Sequence, residues 1–185
     1  QTCALPISFD KIASIIGLLL AIFLFVAGGL MQWGYSFANG TVKTQLQAQK
    51  ISLPGATGNS EEAASVTSFF KDNGGKMMTT GKQAQMYADH YIAFHLKAIG
   101  GGKTYSEVSA AARANPTDAA LQAARTNLFM GETLRGELLN AYAFWQLGQL
   151  AMYGAAASFA GGLLFLVLAL MGFAHLRRVD AGESI

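Results

Sequence analysis

Charged residues and cysteine are both scarce in this 185-residue chain. Only 13% of the residues are charged and 52% are hydrophobic, whereas about a quarter of the residues in soluble globular domains are charged. The deficit is local, because no Asp, Glu, Lys or Arg occurs at residues 12–31 or 138–174. A net charge of +2, dispersed along the chain, gives no reason to expect a nucleic-acid partner.

The single cysteine, Cys3, lies in the N-terminal heptapeptide QTCALPI. This heptapeptide resembles the translation of a sequencing adapter. We therefore expect residues 1–7 to be an artefact and exclude them from the fold prediction. Without Cys3, the chain offers neither a disulfide nor a thiolate metal site.

Two apolar stretches are long enough to cross a bilayer. A spanning helix needs about 20 apolar residues, and residues 12–31 meet this requirement. A signal peptide is the alternative for this segment, but its apolar region would cover only about 7–15 residues before a small-residue cleavage site. The second stretch exceeds one crossing, so residues 150–174 are assigned to the membrane and the amide-containing residues 140–149 to an interface. The sequence therefore predicts two transmembrane helices.

Basic residues beside these segments predict their orientation. Lys11 precedes the first segment, and Arg177 and Arg178 follow the second. Because basic residues accumulate on the cytoplasmic side, we expect a plasma-membrane protein with both termini in the cytoplasm, including the short tail at residues 175–185. Residues 32–149 would then form an extracytoplasmic domain.

Small residues recur at four-residue spacing in the second segment. Such rows let helix backbones approach closely, so we predict a packing face that includes Gly154, Ser158, Gly161 and Gly162. The alternative is that Gly and Ala are simply frequent in membrane helices. Besides the lipid bilayer, the partner of this face could be the first segment, a second copy of the chain or another membrane protein.

The region between the two segments shows helical patterns and no strand-rich run, so we expect an all-α fold. Apolar positions repeat at intervals of three and four residues from 82 to 99, as on one face of a helix. Gly100 is expected to end this helix in the left-handed position. A shorter helix is predicted at 61–70, with Ser60 as its N-cap.

Capping patterns predict two further helices. Thr104 and Glu107 fit a capping box. Asn115 is expected to cap a last helix that begins near Pro116 and runs on into the second apolar segment. The predicted architecture is thus a helical bundle continuous with the second span.

Asp89, His90 and His95 most invite a metal or acid–base hypothesis. Histidine ligands on one helix normally lie four residues apart, whereas His90 and His95 are five apart and would point about 140° from each other. We therefore expect no shared metal ion and no cofactor. His95 lies beside Tyr91 and Leu96 on the apolar face and is expected to be a core histidine bonded to a neighbour.

Glu132 and Arg135 are three residues apart and can pair on one helix. Arg135 could instead point inward and meet Asp89 across the bundle in a partly buried structural pair. A third alternative is an anion or carboxylate site near the membrane surface. No catalytic arrangement can be assembled from the sequence. The candidates for a polar or ligand-binding site are Asp89, His90, His95, Glu132 and Arg135.

Several short motifs resemble a known family. They are TGKQA at 80–84, YADHYI at 87–92, HL at 95–96, GKTYSE at 102–107 and LFMGETLR at 128–135. Over most of its length after the first span, the chain resembles uncharacterised two-span membrane proteins of high-GC Gram-positive bacteria. Some members have been labelled ring-opening dioxygenases, but this chain lacks the metal ligands of such an enzyme. The resemblance implies a membrane location and carries over no catalytic residue.

These observations predict a non-enzymatic accessory or scaffold component with an extracytoplasmic interaction domain, either homo-oligomeric or bound to another membrane protein. The alternative is an extracytoplasmic ligand-binding or sensor module, in which Asp89, His95 and Arg135 would line a pocket. Because the tail after Arg178 is short, such a module would act through a partner.

Overall fold

The computed structural model describes residues 4–182, with side chains for residues 9–178. Within this range all regular secondary structure is helical, and the loops between the helices contain one isolated antiparallel bridge, between Ser52 and Met77, which confirms the all-α prediction. Cys3 lies outside the described residues, and the side chains of residues 4–7, the rest of the expected artefact, are not described. The helical elements are α1 (Ala4–Ala48), α2 (Ala64–Asn73), α3 (Gly81–Met86), a π-helical segment (Tyr87–Ile92), α4 (Ala93–Ile99), α5 (Tyr105–Ala114) and α6 (Ala119–Gly182).

The chain divides into two compact units, residues 1–36 with 148–185, and residues 37–147. We call the described part of the first unit the hairpin and that of the second unit the helical domain. Both α1 and α6 contain a stretch long and apolar enough to cross a membrane. These stretches include the predicted spans at 12–31 and 150–174.

Small residues line the interface between α1 and α6 in the hairpin. Seven residues make about two helical turns, so residues at this spacing stay on one face. A Cβ added at Gly17 would lie 3.5 Å from the Ala169 Cβ, and one added at Gly28 would lie 3.0 Å from the Phe159 ring, so the two helices run antiparallel. Six small residues recur at seven-residue spacing and are buried: Ser14, Ala21 and Gly28 in α1, and Ala155, Gly162 and Ala169 in α6. We call these six residues the seam.

Large apolar side chains occupy the opposite faces of the hairpin helices. Phe23 in α1 is 66% exposed and Leu163 in α6 is 58% exposed. Several other large residues, among them Ile16, Leu30 and Met171, are similarly exposed. The hairpin is thus small-residue inside and bulky outside, the reverse of a soluble helical pair.

The helical domain has an apolar core to which all of its helices contribute. Phe70 and Met86 belong to a smaller second cluster with Val66. The main cluster consists of Val42, Leu46, Leu53, Met78, Ala84, Ala88, Ile92, Leu96, Val108, Leu128 and Leu138. The side chains of this domain are therefore held by an interior of their own.

Local capping explains several helix boundaries. The predicted capping box of α5 is confirmed: the Glu107 amide donates to the Thr104 hydroxyl, and the Thr104 amide donates to the Glu107 carboxylate. The helix predicted from residue 82 to 99 is present as α3, the π-helical segment and α4. A second capping box, between Thr80 and Gln83, begins it.

Three residues predicted to end or begin helices, Gly100, Ser60 and Asn115, do not have the predicted roles. Gly100 is right-handed, with φ −78°, and the left-handed residues are Gly101 and Gly102. The Gly102 amide donates to the Lys97 carbonyl and the Gly101 amide to the Ala98 carbonyl, the bonds of a Schellman motif. The glycine run was predicted correctly, but the left-handed turn begins one residue later.

The other two corrections concern α2 and α6. Helix α2 begins at Ala64, and its N-cap is Ala63 rather than Ser60. Asn115 is the C-cap of α5, while the Asp118 carboxylate accepts from the Leu121 amide at the start of α6. Asp118 lies next to Ala119, the first helical residue, and so takes the capping position.

Candidate functional site

The π-helical segment places Asp89 and His90 on the surface of the helical domain. A π-turn inserts one extra residue into the helical repeat and changes the directions of the side chains that follow, and such turns are frequent at functional sites. Ala88 and Ile92 in this segment remain buried, as does Leu96 in α4. Asp89 and His90 lie beside this buried row and are half-buried.

The expected core position of His95 is wrong, because its side chain is exposed. The buried row of Ala88, Ile92 and Leu96 advances in steps of four through the π-helical segment, which leaves His95 outside it. The predicted bond to a neighbour is present: His95 Nδ1 donates to the Tyr91 carbonyl oxygen at 2.7 Å. The His95 ring also lies 4.3 Å from the Tyr91 ring. His95 is a surface residue held by its own helix.

His90 contacts a carboxylate that the sequence analysis did not single out. Its Nδ1 lies 3.2 Å from both carboxylate oxygens of Glu62. Glu62 precedes α2, so the pair ties the loop before α2 to the π-helical segment. His90 and His95 thus have separate partners. Among the described residues, no group of three or more His, Cys, Asp or Glu side chains could hold a metal ion.

Arg135 makes both of the ion pairs considered from the sequence. One terminal nitrogen lies 3.3 Å from Asp89 and the other lies 3.4 Å from Glu132. Charge-assisted hydrogen bonds usually measure about 2.7–2.9 Å, so both contacts are long. The side chains of Arg135 and Asp89 are each 32% exposed. The Arg135 Nε is buried and has no hydrogen-bond partner.

A close helix crossing brings these charges together. Gly131 lies one turn before Arg135 on α6, and a side chain at this position would collide with Leu96 on α4. The missing Cβ of Gly131 therefore lets α4 approach α6. This approach brings Asp89, which lies two turns before Leu96, within reach of Arg135.

Two pockets of opposite charge flank this crossing. The larger, of about 570 Å³, is lined by Glu61, Glu62 and Asp89 together with His90 and Lys97. The smaller, of about 160 Å³, is lined by Lys97, Lys103 and Arg135 together with Glu132. Lys97 lines both pockets. We call the smaller pocket the basic pocket.

Two side chains in the helical domain have shifted pKa values. Burial raises the pKa of Tyr87, and the neighbouring Tyr91 raises it further. The Thr104 amide and hydroxyl donate to Glu107 and lower its pKa, with a smaller contribution from the charge of Lys103. The first shift reflects packing and the second reflects helix capping, so neither indicates acid–base chemistry.

The predicted packing residues of the second segment contact α1 of the same chain. A Cβ atom at Gly162 would lie 3.2 Å from the Phe25 ring, and one at Gly161 would lie 3.3 Å from Leu24. A Cβ at Gly154 would meet the Met31 sulfur at 2.7 Å. The fourth residue, Ser158, is half-buried. The first segment is therefore one partner of this face.

The five candidate polar residues form two groups and a single residue. Asp89, Glu132 and Arg135 are in contact, His90 pairs with Glu62, and His95 stands apart. Sequence patterns missed Glu62 and the role of Gly131, because neither contact is local in sequence. The chain matches no protein-family model, and no curated protein or solved structure is similar to it at a significant level.

Proposed function

We propose that this protein is a non-enzymatic accessory or scaffold component of the plasma membrane, with two transmembrane helices and an extracytoplasmic interaction domain. The observation that carries the proposal is the outward exposure of large apolar side chains on both helices of the hairpin.

Water is an unfavourable solvent for such a surface. Leaving a Leu, Ile or Phe side chain in water rather than burying it costs about 1.5–3 kcal/mol, and the hairpin exposes many of them. Hydrocarbon removes this cost, and a helix satisfies its own backbone hydrogen bonds there. In lipid, close packing of small residues takes over the role that apolar burial has in water. The seam provides this packing.

The positions of the basic residues support the proposed orientation. Lys11 lies at one end of α1, and His175 of α6 lies 3.4 Å from Asp10, so Lys11, Arg177 and Arg178 share one end of the hairpin. By the preference of basic residues for the cytoplasmic side, that end faces the cytoplasm. The helical domain would then be extracytoplasmic.

An exposed apolar pair in the helical domain supports the interaction role. Met130 and Leu134 lie one turn apart on α6, and both side chains are exposed. Contiguous exposed apolar surface on a folded domain marks sites of protein interaction, and we propose that Met130 and Leu134 belong to such a site. A second copy of this chain or another membrane protein would fit such a surface.

Photo-crosslinking in native membranes tests this proposal. A photoreactive amino acid replaces Met130 in one variant and Lys71, an exposed residue of α2, in the control. We expect a discrete protein adduct from position 130, identified by mass spectrometry, and little from position 71. Monomer alone, or an adduct with lipid only, would contradict the interaction role. In a separate experiment, release of the protein from the membranes by alkaline carbonate would contradict the membrane anchor.

A further inference from the structure

We propose that the basic pocket is a binding site for a small oxyanion, either free phosphate or a ligand that presents a phosphate or carboxylate group. The site would lie in the helical domain between α4, the start of α5 and α6. It goes beyond the scaffold function and does not depend on it.

The guanidinium of Arg135 is incompletely paired. A guanidinium has five N–H donors, and a buried donor without a partner is rare enough in folded proteins to need an explanation. The Arg135 Nε is such a donor. Its two ion pairs, at 3.3 Å and 3.4 Å, are too long to saturate the group. An oxyanion that replaces Glu132 would bind the guanidinium through two parallel N–H donors.

Three of the four charged side chains that line the pocket are basic. Lys97, Lys103 and Arg135 line it together with Glu132, and a second carboxylate, Glu107, lies near Lys103 but is held by Thr104. The Glu132 side chain is 44% exposed, so it can turn into solvent when an anion competes for Arg135. Asp89, the other partner of Arg135, lines the adjacent acidic pocket instead. The basic pocket therefore attracts anions although acidic side chains lie nearby.

The pocket has room for a small anion. Its volume of about 160 Å³ is well above the roughly 10–15 Å³ that one water molecule needs, so a phosphate or carboxylate group fits in it. Leu96 and Leu128 line its apolar side, so the anion would be partly shielded from water. Partial shielding strengthens its attraction to the three cations.

Nuclear magnetic resonance of the full chain tests the site directly. The protein is labelled with ¹⁵N-arginine and held in an uncharged maltoside detergent that carries no phosphate. Inorganic phosphate, sulfate and acetate are titrated separately at constant ionic strength. We expect a saturable shift of the Arg135 Nε–H signal. The Nε–H signals of Arg113, Arg125, Arg177 and Arg178 serve as internal controls and are expected to stay in place.

Three substitutions separate this site from general charge attraction. Lys103→Gln should weaken phosphate binding about twofold to fivefold, the range for one partly exposed charge pair, and Glu132→Gln should strengthen it by a similar factor. Lys82→Gln, which removes an exposed lysine that does not line the pocket, should leave it unchanged.

Each outcome of the titration either supports the oxyanion site or overturns it. Saturation with phosphate and acetate alike supports a general oxyanion site, and saturation with phosphate and sulfate alone assigns it to tetrahedral anions. The absence of a saturable shift, equal shifts of all arginines, or equal effects of Lys103→Gln and Lys82→Gln would overturn the proposal. An unchanged phosphate affinity in Lys103→Gln, together with a weaker affinity in Glu132→Gln, would also overturn the proposal.

Discussion

Two neighbouring glycines of α1 allow a stringent test of the seam. Gly28 is buried, and a Cβ at this position would lie 3.0 Å from the Phe159 ring. Gly29 has no atom within 4 Å of the same added Cβ. Gly28→Leu and Gly29→Leu are therefore chemically identical changes, one residue apart, on different faces of one helix.

The structure predicts opposite effects of these substitutions. Carbon atoms normally approach to about 3.5–4.0 Å, so Leu at Gly28 must push the two helices apart, and such overpacking costs about 1–3 kcal/mol. At Gly29 the same change replaces a poor helix former by a good one and stabilises the helix by about 0.8 kcal/mol. Because the gain in helix propensity is common to both variants, they should differ by about 1–3 kcal/mol in the free energy of hairpin opening, which is the cost of overpacking.

Energy transfer between two dyes measures this opening. The dyes are attached at Lys11→Cys and Arg177→Cys in a Cys3→Ser background, because these positions share one end of the hairpin. Increasing SDS in maltoside micelles separates the helices and lowers the transfer. We expect the midpoint to fall for Gly28→Leu and to stay or rise for Gly29→Leu. Equal midpoints, or a larger loss for Gly29→Leu, would refute the seam.

The helical domain allows two further predictions, both followed by thermal denaturation. Thr104→Ala removes the capping box of α5 and should destabilise the domain by about 1 kcal/mol. Because the pKa of Glu107 is lowered in the folded state, its contribution is present above the unfolded pKa and is lost as the pH falls through the folded value, so the Thr104→Ala effect should shrink below about pH 4.5. A pH-independent effect would contradict this role of Glu107. Asp89→Asn should cost about 0.2–1 kcal/mol, because its pair with Arg135 is partly exposed, and the loss should diminish at high salt. A cost well above this range, or one that does not change with salt, would contradict a partly exposed pair.

Local signals predicted the elements of the helical domain well. The glycine runs, the Thr104 capping box and the apolar repeat from residue 82 to 99 each depend on a few neighbouring residues, and each has its counterpart in the structure. Errors of a few residues arose where two candidates competed for one role. Asn115 and Asp118 are both good capping residues, and only the backbone path decides between them.

The candidate site was less predictable because its contacts connect distant parts of the chain. Asp89 and Arg135 are 46 residues apart, and their pairing was considered only as one of three alternatives. His90 and Glu62 are 28 residues apart and were not paired at all. The π-helical segment also has no simple sequence signal, yet it decides that His95 is exposed.

A designed disulfide tests whether α1 and α6 form an antiparallel hairpin along the seam. A Cβ at Gly17 would lie 3.5 Å from the Cβ of Ala169, and disulfides need about 3.5–4.5 Å. The substitutions Gly17→Cys and Ala169→Cys are made together in a Cys3→Ser background, and mild oxidant is applied to native membranes. The control pairs Gly17→Cys with a cysteine at the exposed neighbour Leu170.

We expect rapid formation of a disulfide within one chain for the 17–169 pair, seen as a faster-migrating monomer, and slow formation for the control. Disulfide-linked dimers instead of this monomer, or equal rates for the two pairs, would contradict the hairpin.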